Sequence, residues 1–390
     1  MAVILQKFAV PFEYPVYFTS ELFSPENPCL LDAIMRREPW RRHRLFAVVD
    51  RGVADCHPSL VPQLEGLAVQ HPRRLDLVGA PLIIPGGEGC KNDPGATTRL
   101  QQAFDRHRLD RHAFVMVIGG GAVLDLVGYA ASLMHRGLRL LRVPTTVLAQ
   151  CDSGLGVKNG INAFEKKNCL GAFAPPFAVF NDHRFLESLP LRDRVAGLAE
   201  AVKVALIRDG EFFEWLDERA DRLAGGDLPV ATEAIERSAR LHLDHIAQSG
   251  DPFEFGAARP LDFGHWAAHK LETLTHNRLR HGEAVAVGMA LDTAYSTEAG
   301  FLSPQAGEHV LTLLQRLGFR LWDPACALMG PDGRPRLLDG LSEFREHLGG
   351  DLTVTQLAAV GQGIEVHDLQ EALILRALDR LRTRDHASCG

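Results

Sequence analysis

The chain has 390 residues, 46% hydrophobic and 23% charged, which indicates a folded globular protein with a sizeable core and excludes the disordered and collagen-like classes. Its formal net charge of −7 gives no overall basic field, so we expect no nucleic-acid or membrane partner, and any anionic ligand must be bound by a local cluster. The seven cysteines are odd in number and form no C-x-x-C pair, and the sequence shows no secretory leader and no long apolar run. A soluble, reduced, cytoplasmic protein is therefore expected.

The first half of the chain alternates short apolar runs with longer helical patterns. Buried strands are predicted at 44–50, 80–87, 112–121, 138–144 and 177–182. Helices are predicted between them, at 95–109 and 124–134. Such alternation is typical of parallel βαβ units, whose ligands bind at the carboxyl ends of the strands.

Helical periodicity replaces the strand signals from about residue 188 onward. Helices are predicted at 192–207, 210–223, 229–248, 265–276, 281–299 and 303–317, and a Gly/Pro-rich break at 325–337 predicts a small hairpin. We therefore predict an α/β N-terminal Rossmann-like parallel-sheet domain over residues 1–187 and an all-α C-terminal domain over residues 188–390 that holds metal and substrate.

Lysine is scarce in this chain, since seven of its 42 basic residues are lysines: Lys7, Lys91, Lys158, Lys166, Lys167, Lys203 and Lys270. Lysine is a compact point charge whereas arginine is a planar fork, so each lysine is a candidate for a role that a guanidinium cannot fill. The alternative is compositional bias and chance.

Strand ends in the first half carry candidate cofactor residues. Three glycines at 119–121 follow a strand and precede a helix, which would let the backbone approach a pyrophosphate, although the G-x-G-x-x-G spacing is absent and tight packing would also explain them. Asp50 ends an earlier strand, where its carboxylate could accept a hydrogen bond from a ribose hydroxyl or could merely cap a turn. Glu88 and Lys91 lie in another strand-end loop, where a solvated turn is the alternative.

A polar segment at 143–173 places three lysines within ten residues and is predicted to be a loop. Such a loop can bind a phosphate or polyol with ammonium and amide groups, whereas a merely solvated loop is the alternative. Its candidate residues are Thr145, Thr146, Asp152, Lys158, Lys166, Lys167 and Asn168.

Two helical motifs indicate a metal site. Glu200 and Lys203 lie three apart on an apolar helix, where they form either an ordinary ion pair or part of a site. His265 and His269 lie four apart on one helix face, and His281 opens the next helix. A glutamate with two histidines would bind Zn²⁺ and leave a position open for substrate.

These motifs together resemble those of the dehydroquinate synthase family of sugar-phosphate cyclases. The resemblance runs from about residue 44 to 300 through GGGAVLDLVGYAAS, the RG at 136–137, VPTTVLAQCDS, the KN at 167–168, GLAEAVK, FGH and HGEAVAVGM. It implies a fold shared with glycerol and iron-dependent alcohol dehydrogenases, and a homodimer. It also implies a reaction in which NAD takes and returns a hydride, phosphate is eliminated, and an aldol addition closes a carbocycle.

The resemblance implies a role for each candidate residue. Zinc, or cobalt in its place, would be bound by Glu200, His265 and His281. NAD would be bound by Asp50, Glu88, Lys91, Gly120, Gly121, Asp125, Thr145, Thr146 and Lys167. Substrate would be contacted by Asp152, Lys158, Asn168, Lys203, Asp262 and His269, with Arg136 reaching in from a neighbouring subunit.

The sequence departs from the family pattern near the expected carboxylate end of the substrate. Asp244 stands where dehydroquinate synthases typically have lysine, Ala258 where they have arginine, and Asp262 where they have asparagine. Arg259 could partly compensate. An aspartate at 262 resembles the cyclases that make valiolone-type cyclitols, and Ala and Asp in place of cations should repel a carboxylate.

Two further differences lie elsewhere in the chain. Val157 replaces a usual glycine before Lys158, and the late basic position of the family falls at Arg334 or Arg336. His269 is retained, although valiolone-forming enzymes often lack it.

These features favour a cyclase that acts on a neutral seven-carbon ketose phosphate, sedoheptulose 7-phosphate. A 3-dehydroquinate synthase that uses 3-deoxy-arabino-heptulosonate 7-phosphate is the close alternative. A glycerol dehydrogenase-like oxidoreductase would accumulate NADH, and a catalytically inactive binding paralogue would be expected to lack one of Lys158, Glu200, Lys203 or the histidines, all of which are present.

Overall fold

The computed structural model describes residues 3–164, 166–248, 252–253, 260–347 and 352–388. In the first half the elements are β1 (Val16–Thr19), α1 (Cys29–Met35), β2 (His43–Asp50), α2 (Arg51–Cys56), α3 (Leu60–Gln70), β3 (Leu75–Leu77), β4 (Leu82–Ile84), α4 (Ala96–Arg106), β5 (Phe114–Gly119), α5 (Gly121–Leu133), β6 (Arg139–Pro144), β7 (Lys158–Ala163), β8 (Lys166–Phe173) and β9 (Ala178–Asp182).

In the second half the elements are α6 (Leu191–Arg208), α7 (Gly210–Glu218), α8 (Ala220–Ala224), α9 (Leu228–Gln248), α10 (His265–Leu274), α11 (His281–Glu298), α12 (Pro304–Arg316), α13 (Asp339–His347), β10 (Val354–Ala359), β11 (Gln362–Val366) and α14 (Glu371–Ser388).

Seven parallel strands form the central sheet in the order β1-β9-β6-β5-β2-β3, with β4 also paired to β2. The two halves of β2 have different neighbours, since its first residues pair with β3 and its last with β4. Side chains alternate across the sheet, so Phe46 and Val48 pack against α4 and α5 on one face while Ala47 and Val49 pack against α1 and α3 on the other. A sheet buried on both faces needs the nearly continuous apolar strands that the sequence contains.

The helical half packs around α11, which is buried over nearly its whole length. Its glycines allow close helix contacts, since a Cβ at Gly288 would meet the backbone of Gly264. Gly264 itself has φ of +78°, a left-handed conformation that favours glycine and that turns the chain into α10. The start of α10 is thereby fixed against the middle of α11.

The predicted class, a Rossmann-like sheet followed by a helical half, is confirmed. The five predicted strands are present with small changes of bounds, but the sequence pattern missed the short strands β1 and β3. The predicted helix at 210–223 is divided into α7 and α8. Residues 325–337 contain an isolated bridge between Met329 and Pro335, which matches the hairpin predicted there. The domain boundary after residue 187 precedes α6 and stays a prediction.

Two hairpins correct the sequence analysis. The prediction of a loop for residues 158–173 was wrong, because β7 and β8 pair there as an antiparallel hairpin. The absence of strand signals after residue 188 was also misleading, because β10 and β11 form a second hairpin within the otherwise helical half. In β8 most residues are exposed, so the apolar alternation that reveals a half-buried strand is missing from it.

Two expectations from composition concern thiols and membrane spans. Among the described residues, all six cysteines are free thiols. No helix in the described ranges combines the length and the apolar character that crossing a bilayer requires.

Arg142, in the middle of β6, joins the sheet to the β7–β8 hairpin. Its side chain is fully buried, and its guanidinium donates to the carbonyl oxygens of Gly156 at 2.7 Å and Lys158 at 2.9 Å and to Asn159 Oδ1 at 2.6 Å. A planar fork with several donors can satisfy a group of carbonyls that a lysine could not. Arg142 therefore fixes the backbone that presents Lys158.

Replacing this arginine should be costly. We expect Arg142→Met to lower the free energy of unfolding by about 3–5 kcal/mol, because it removes a buried cation and leaves several buried carbonyls without donors. Arg42→Met is the control, since Arg42 is exposed and pairs with Asp76 at 2.8 Å, and it should cost about 1 kcal/mol or less. Urea denaturation measures both, and equal losses would contradict the role of Arg142.

Candidate active site

A cavity of about 470 Å³ lies between the β7–β8 hairpin, the turn Ala149–Ser153 and helices α6, α9, α10 and α11. It brings together most of the predicted catalytic and metal-binding side chains. Among its lining residues are Asp125, Asp152, Lys158, Asn168, Glu200, Lys203, Asp262, His265, His269 and His281.

Glu200, His265 and His281 form a compact cluster at one wall of this cavity. Their ligand atoms all lie within 4.8 Å of one another, with Glu200 Oε1 at 4.0 Å from His265 Nε2 and 3.6 Å from His281 Nε2. Glu200 is 2% exposed, and within the described part of the chain neither of its oxygens accepts a hydrogen bond of ordinary geometry. A buried carboxylate needs a positive charge beside it, and Lys203 supplies one at Oε2, while Oε1 lies toward the two histidines.

The second nitrogen of each histidine is held by a hydrogen-bond acceptor. His265 Nδ1 donates to the carbonyl of Phe263 at 3.1 Å, and His281 Nδ1 lies 3.3 Å from Glu272 Oε1. Both contacts direct the Nε2 atoms toward Glu200, which is the arrangement that orients imidazole ligands around a metal. Burial would lower the pKa of His281, but the carboxylates of Glu272 and Glu200 raise it to about 9.

Lys203 lies one turn beyond Glu200 and joins it to Asp152. Its ammonium is 2.5 Å from Glu200 Oε2 and donates to Asp152 Oδ2 at 3.1 Å. Burial opposes the charge, but the two carboxylates raise the pKa of Lys203 above its ordinary value. Burial would likewise raise the pKa of Asp152, but the charge of Lys203 holds it well below the usual range. Lys203 is therefore a fixed positive charge rather than a base.

Asn168 and Lys91 connect the hairpin to the sheet half. Lys91 donates to Asp125 at 2.7 Å and to Asn168 Oδ1 in a short contact. The backbone N–H of Asn168 donates to Asn162 Oδ1 at 2.9 Å, and its φ of +50° is left-handed. With its oxygen occupied by Lys91, Asn168 presents its amide N–H groups to the cavity.

The glycine-rich turn lies beside the cavity at the end of β5. A Cβ at Gly121 would come within 2.6 Å of Ser153 Oγ, a residue that lines the cavity, and a Cβ at Gly120 within 3.3 Å of Thr146 Cγ2. No side chain within the described ranges caps α5, so the first N–H groups of this helix open toward the strand ends.

Three further predicted cofactor residues lie at neighbouring strand ends. The backbone N–H of Thr145 donates to the carbonyl of Gly119, and Thr146 Oγ1 accepts from the N–H of Ala149, so this pair holds the turn that carries Asp152. Asp50 caps α2 by accepting from the N–H of Gly52 at 2.8 Å. The turn-capping interpretation of Asp50 is thus correct, and it leaves the carboxylate at the strand end.

Glu88 and Lys167 lie at a second cavity of about 390 Å³ beside the first. Lys167 Nζ is 2.7 Å from Glu272 Oε1 and 3.5 Å from Glu88 Oε1. Since Glu272 also contacts His281, Lys167 is coupled to the histidine cluster through one carboxylate. Lys166 pairs at the surface with Glu346 at 2.6 Å.

Several residues singled out by the family comparison lie away from the cavity. Arg136 is exposed, in a turn where it adopts a left-handed φ of +64°. Asp244 is exposed on α9 and does not line the cavity. Arg334 pairs with Glu371 at 3.0 Å, and neither it nor Arg336 is among the cavity residues that the structure describes. Ala258 and Arg259 lie outside the described residues.

Sequence reasoning missed four residues that build this site. His242 and His245 line the cavity from α9, and Glu272 and Asp292 hold the histidine cluster in place. The two histidines have helical i,i+3 spacing, which could have drawn attention to them among the 17 in the chain. Glu272 and Asp292 act through contacts between helices, which a linear sequence does not show.

Asp292 anchors the start of α10 to α11. It is 1% exposed, its Oδ2 accepts from the N–H of Gly264 and its Oδ1 from Trp266 Nε1, both at 2.9 Å. These two donors flank His265 in the chain, so Asp292 sets the position of that histidine. Burial raises the pKa of Asp292 to about 7 in spite of these donors.

A doubly wound parallel sheet, a helical half, and a Glu-His-His cluster facing a glycine-rich strand end define the dehydroquinate synthase-like class of proteins. The description "3-dehydroquinate synthase N-terminal" matches residues 81–196, and "3-dehydroquinate synthase C-terminal" matches residues 197–330. The chain therefore belongs to the 3-dehydroquinate synthase family of sugar-phosphate cyclases, which are phosphate-eliminating enzymes.

The similar proteins are named for two different activities, 3-dehydroquinate synthase and 2-epi-5-epi-valiolone synthase. A 3-dehydroquinate synthase of Bartonella bacilliformis is 34% identical over 378 residues, 96% of each chain. A 2-epi-5-epi-valiolone synthase of Streptomyces glaucescens is 38% identical over 285 residues, 72% of this chain and 71% of the relative. The solved 2-epi-5-epi-valiolone synthase of Streptomyces hygroscopicus subsp. jinggangensis, with NAD⁺ and Zn²⁺ bound, superposes with a TM-score of 0.85 at 28% identity, over 98% of this chain and all of that one.

The role of Asp292 can be measured by unfolding at two pH values. Because its folded pKa of about 7 lies above that of an unfolded aspartate, the stability it contributes is complete below about pH 4 and is lost as the pH rises through 7. We expect Asp292→Asn to destabilise the protein by about 1–3 kcal/mol at pH 8. The new amide NH₂ group would face the N–H of Gly264 or of Trp266, and two donors cannot form a hydrogen bond. At pH 5 the loss should be about 2 kcal/mol larger.

Denaturant titrations at both pH values give the two losses. Asp55→Asn, an exposed position on α2, is the control and should change the free energy of unfolding by less than about 0.5 kcal/mol at either pH. An Asp292→Asn loss that is the same at pH 5 and pH 8 would contradict a raised pKa.

Proposed function

We propose that this protein is a zinc- and NAD-dependent cyclase that converts sedoheptulose 7-phosphate into a valiolone-type cyclitol with release of phosphate. The observation that carries the substrate choice is Asp262, which lines the cavity together with Lys203 and His265. A carboxylate at that position accepts hydrogen bonds from hydroxyl groups and repels a substrate carboxylate. Two relatives named as valiolone synthases support the same choice.

Zinc fits the Glu200 cluster by the chemistry of its donors. One carboxylate oxygen and two imidazole nitrogens form a usual catalytic zinc set. Glu200 Oε2 contacts Lys203, and Oε1 lies toward the two histidines, so Oε1 is the oxygen that would bind the ion. His281 lies between two carboxylates that favour a positive charge, which a divalent ion would supply while the imidazole stays neutral. We propose these three residues as the ligands.

NAD fits the strand ends of the sheet half. Gly120 and Gly121 leave the backbone open at the uncapped start of α5, where a pyrophosphate can accept from N–H groups. Asp50 lies at the end of β2, which neighbours β5, and its carboxylate can accept from ribose hydroxyls. We propose that Thr145 and Thr146 border this site, and that Glu88, Lys91, Asp125 and Lys167 form its edge toward the cavity.

When bound, NAD accepts and returns a hydride and zinc polarises an oxygen of the substrate. Lys203 then supplies a permanent positive charge beside Glu200, where negative charge develops on the substrate after oxidation. Asp152 holds the Lys203 ammonium from the other side. Lys158 and the amide of Asn168 face the cavity from the hairpin and would bind the phosphate that leaves.

His269 adds a neutral group beside the cluster. Its ring lies 5.4 Å from that of His265, and burial lowers the pKa of His269 to about 3, so it can donate or accept a hydrogen bond without charge. We propose that Arg136, exposed in its strained turn, completes the site of a neighbouring subunit in a homodimer.

Retained His269 and the Bartonella bacilliformis relative favour 3-dehydroquinate synthase as a second candidate. The test incubates the protein with NAD⁺, Zn²⁺ and either sedoheptulose 7-phosphate or 3-deoxy-arabino-heptulosonate 7-phosphate and measures phosphate release. We expect turnover of the neutral substrate and no accumulation of NADH. Turnover of the carboxylate-bearing substrate alone would refute the proposal, and stoichiometric NADH would indicate a net dehydrogenase.

Asp262→Asn tests the observation behind the substrate choice. We expect kcat/KM for sedoheptulose 7-phosphate to fall by about 10–100-fold, because an amide offers one acceptor oxygen in place of a charged carboxylate. Zinc content should be unchanged, which separates a substrate effect from loss of the metal. An unchanged kcat/KM would contradict a role of Asp262 in binding this substrate.

Glu272→Gln tests the metal site without altering a ligand. We expect the zinc dissociation constant to rise by about 10–100-fold, because the carboxylate that orients His281 is lost. Glu298→Gln, at the far end of α11 where Glu298 pairs with Arg376, should leave it unchanged. Competition with a chelator, followed by elemental analysis, measures both, and equal zinc affinities would contradict this role of Glu272.

A further inference from the structure

The wall of the cavity formed by α9 carries residues that the mechanism above does not use. His242, His245 and Ile246 all line the cavity, and their i,i+3,i+4 spacing puts them on one face of the helix. Asp244, between them in sequence, is exposed on another face. The side chains that α9 offers to a ligand are therefore the histidines and not the aspartate.

His242 lies beside the ion pair of Asp152 and Lys203. Its Nε2 lies 3.6 Å from Asp152 Oδ1, and the other oxygen of Asp152 accepts from Lys203. The ring is mostly buried, with 12% of its side chain exposed. A Cβ at Gly156 would be 3.6 Å from Nε2, so the backbone of the preceding turn closes against this histidine. His242 thus has a fixed position at the cavity edge next to Asp152.

The contacts of His245 determine its protonation. Arg208 Nη2 lies 2.5 Å from His245 Nδ1, and because a guanidinium can only donate, Nδ1 must carry a lone pair. The hydrogen of the neutral ring is then on Nε2. Burial and Arg208 lower the pKa of His245 to about 4, in agreement with this assignment. His245 is an uncharged hydrogen-bond donor.

We propose that His242 and His245 form the specificity wall of the cavity, and that they bind hydroxyl groups of a sugar phosphate that carries no carboxylate. The inference rests on the proposed function for the identity of that substrate. An uncharged donor suits a hydroxyl or carbonyl oxygen but gives a carboxylate no counter-charge. Asp262, on the same cavity, supplies the complementary acceptor.

The test compares leucine variants, which remove the hydrogen bonds, with polar variants that keep them. His242→Leu and His245→Leu should each raise KM for sedoheptulose 7-phosphate by about 10–100-fold. His242→Gln and His245→Gln should stay within a few-fold of wild type. Zinc content and NAD⁺ affinity, measured by elemental analysis and calorimetry, should be unchanged in all four, which shows that the proteins are folded.

Asp244→Lys provides the matched contrast on the same helix. It restores the residue type that dehydroquinate synthases typically have at this position, but it faces away from the cavity. We expect it to leave KM for sedoheptulose 7-phosphate unchanged and to confer no turnover of the carboxylate-bearing substrate. A gain of that turnover would overturn the assignment of the α9 face.

The measurements on wild type and on the variants can refute the proposed function and the specificity wall separately. If wild type turns over sedoheptulose 7-phosphate but the leucine variants keep its KM, the proposed function stands and the specificity wall is overturned. If wild type turns over only the carboxylate-bearing substrate, the proposed function fails. A raised KM of the leucine variants for that substrate would then overturn the assignment of the wall to a substrate without a carboxylate.

Discussion

The buried pair of Glu200 and Lys203 is the constraint around which the rest of the site is arranged. Both side chains are 2% exposed on one turn of α6, and charges removed from water are tolerated only when they are matched. The neighbours that contact this pair and His281 are Asp152 and Glu272, and Lys167 pairs with Glu272. His281 lies 3.6 Å from Glu200 and 3.3 Å from Glu272, so two buried carboxylates converge at the histidines. These carboxylates favour a positive charge at the cluster.

Placing this charge cluster against the glycine-rich strand end depends on rigid connections rather than on the helices alone. Arg142 ties the hairpin with Lys158 to the middle of the sheet, and Asp292 ties the start of α10 to α11. Both are buried ionisable side chains, and each makes a hydrogen bond to a backbone group in or beside a site residue. Each therefore fixes the backbone beside one site residue, Lys158 or His265, relative to the packed core.

Much of the fold and of the metal cluster could be predicted from the sequence because local spacing determines them. Apolar strands alternating with helices dictate the sheet, and His265 with His281 lie at helix starts that the sequence marks. The β7–β8 hairpin could not be predicted, since its second strand is mostly exposed and its first strand is held by Arg142 from outside the hairpin. Glu272 and His242 could not be recognised either, because their partners His281 and Asp152 come from other elements.

For Asp244, alignment with the family motif and orientation on α9 lead to different conclusions about specificity. Counting from the FGH motif makes residue 244 the place of a lost cation, and the loss of a cation does argue against a carboxylate substrate. The structure puts that residue on the exposed side of α9 and turns 242 and 245 inward. Under the proposed function, discrimination against a carboxylate would therefore not depend on an absent lysine. It would depend on the two imidazoles and on Asp262, which can bind hydroxyl groups but supply no positive charge to balance an acid.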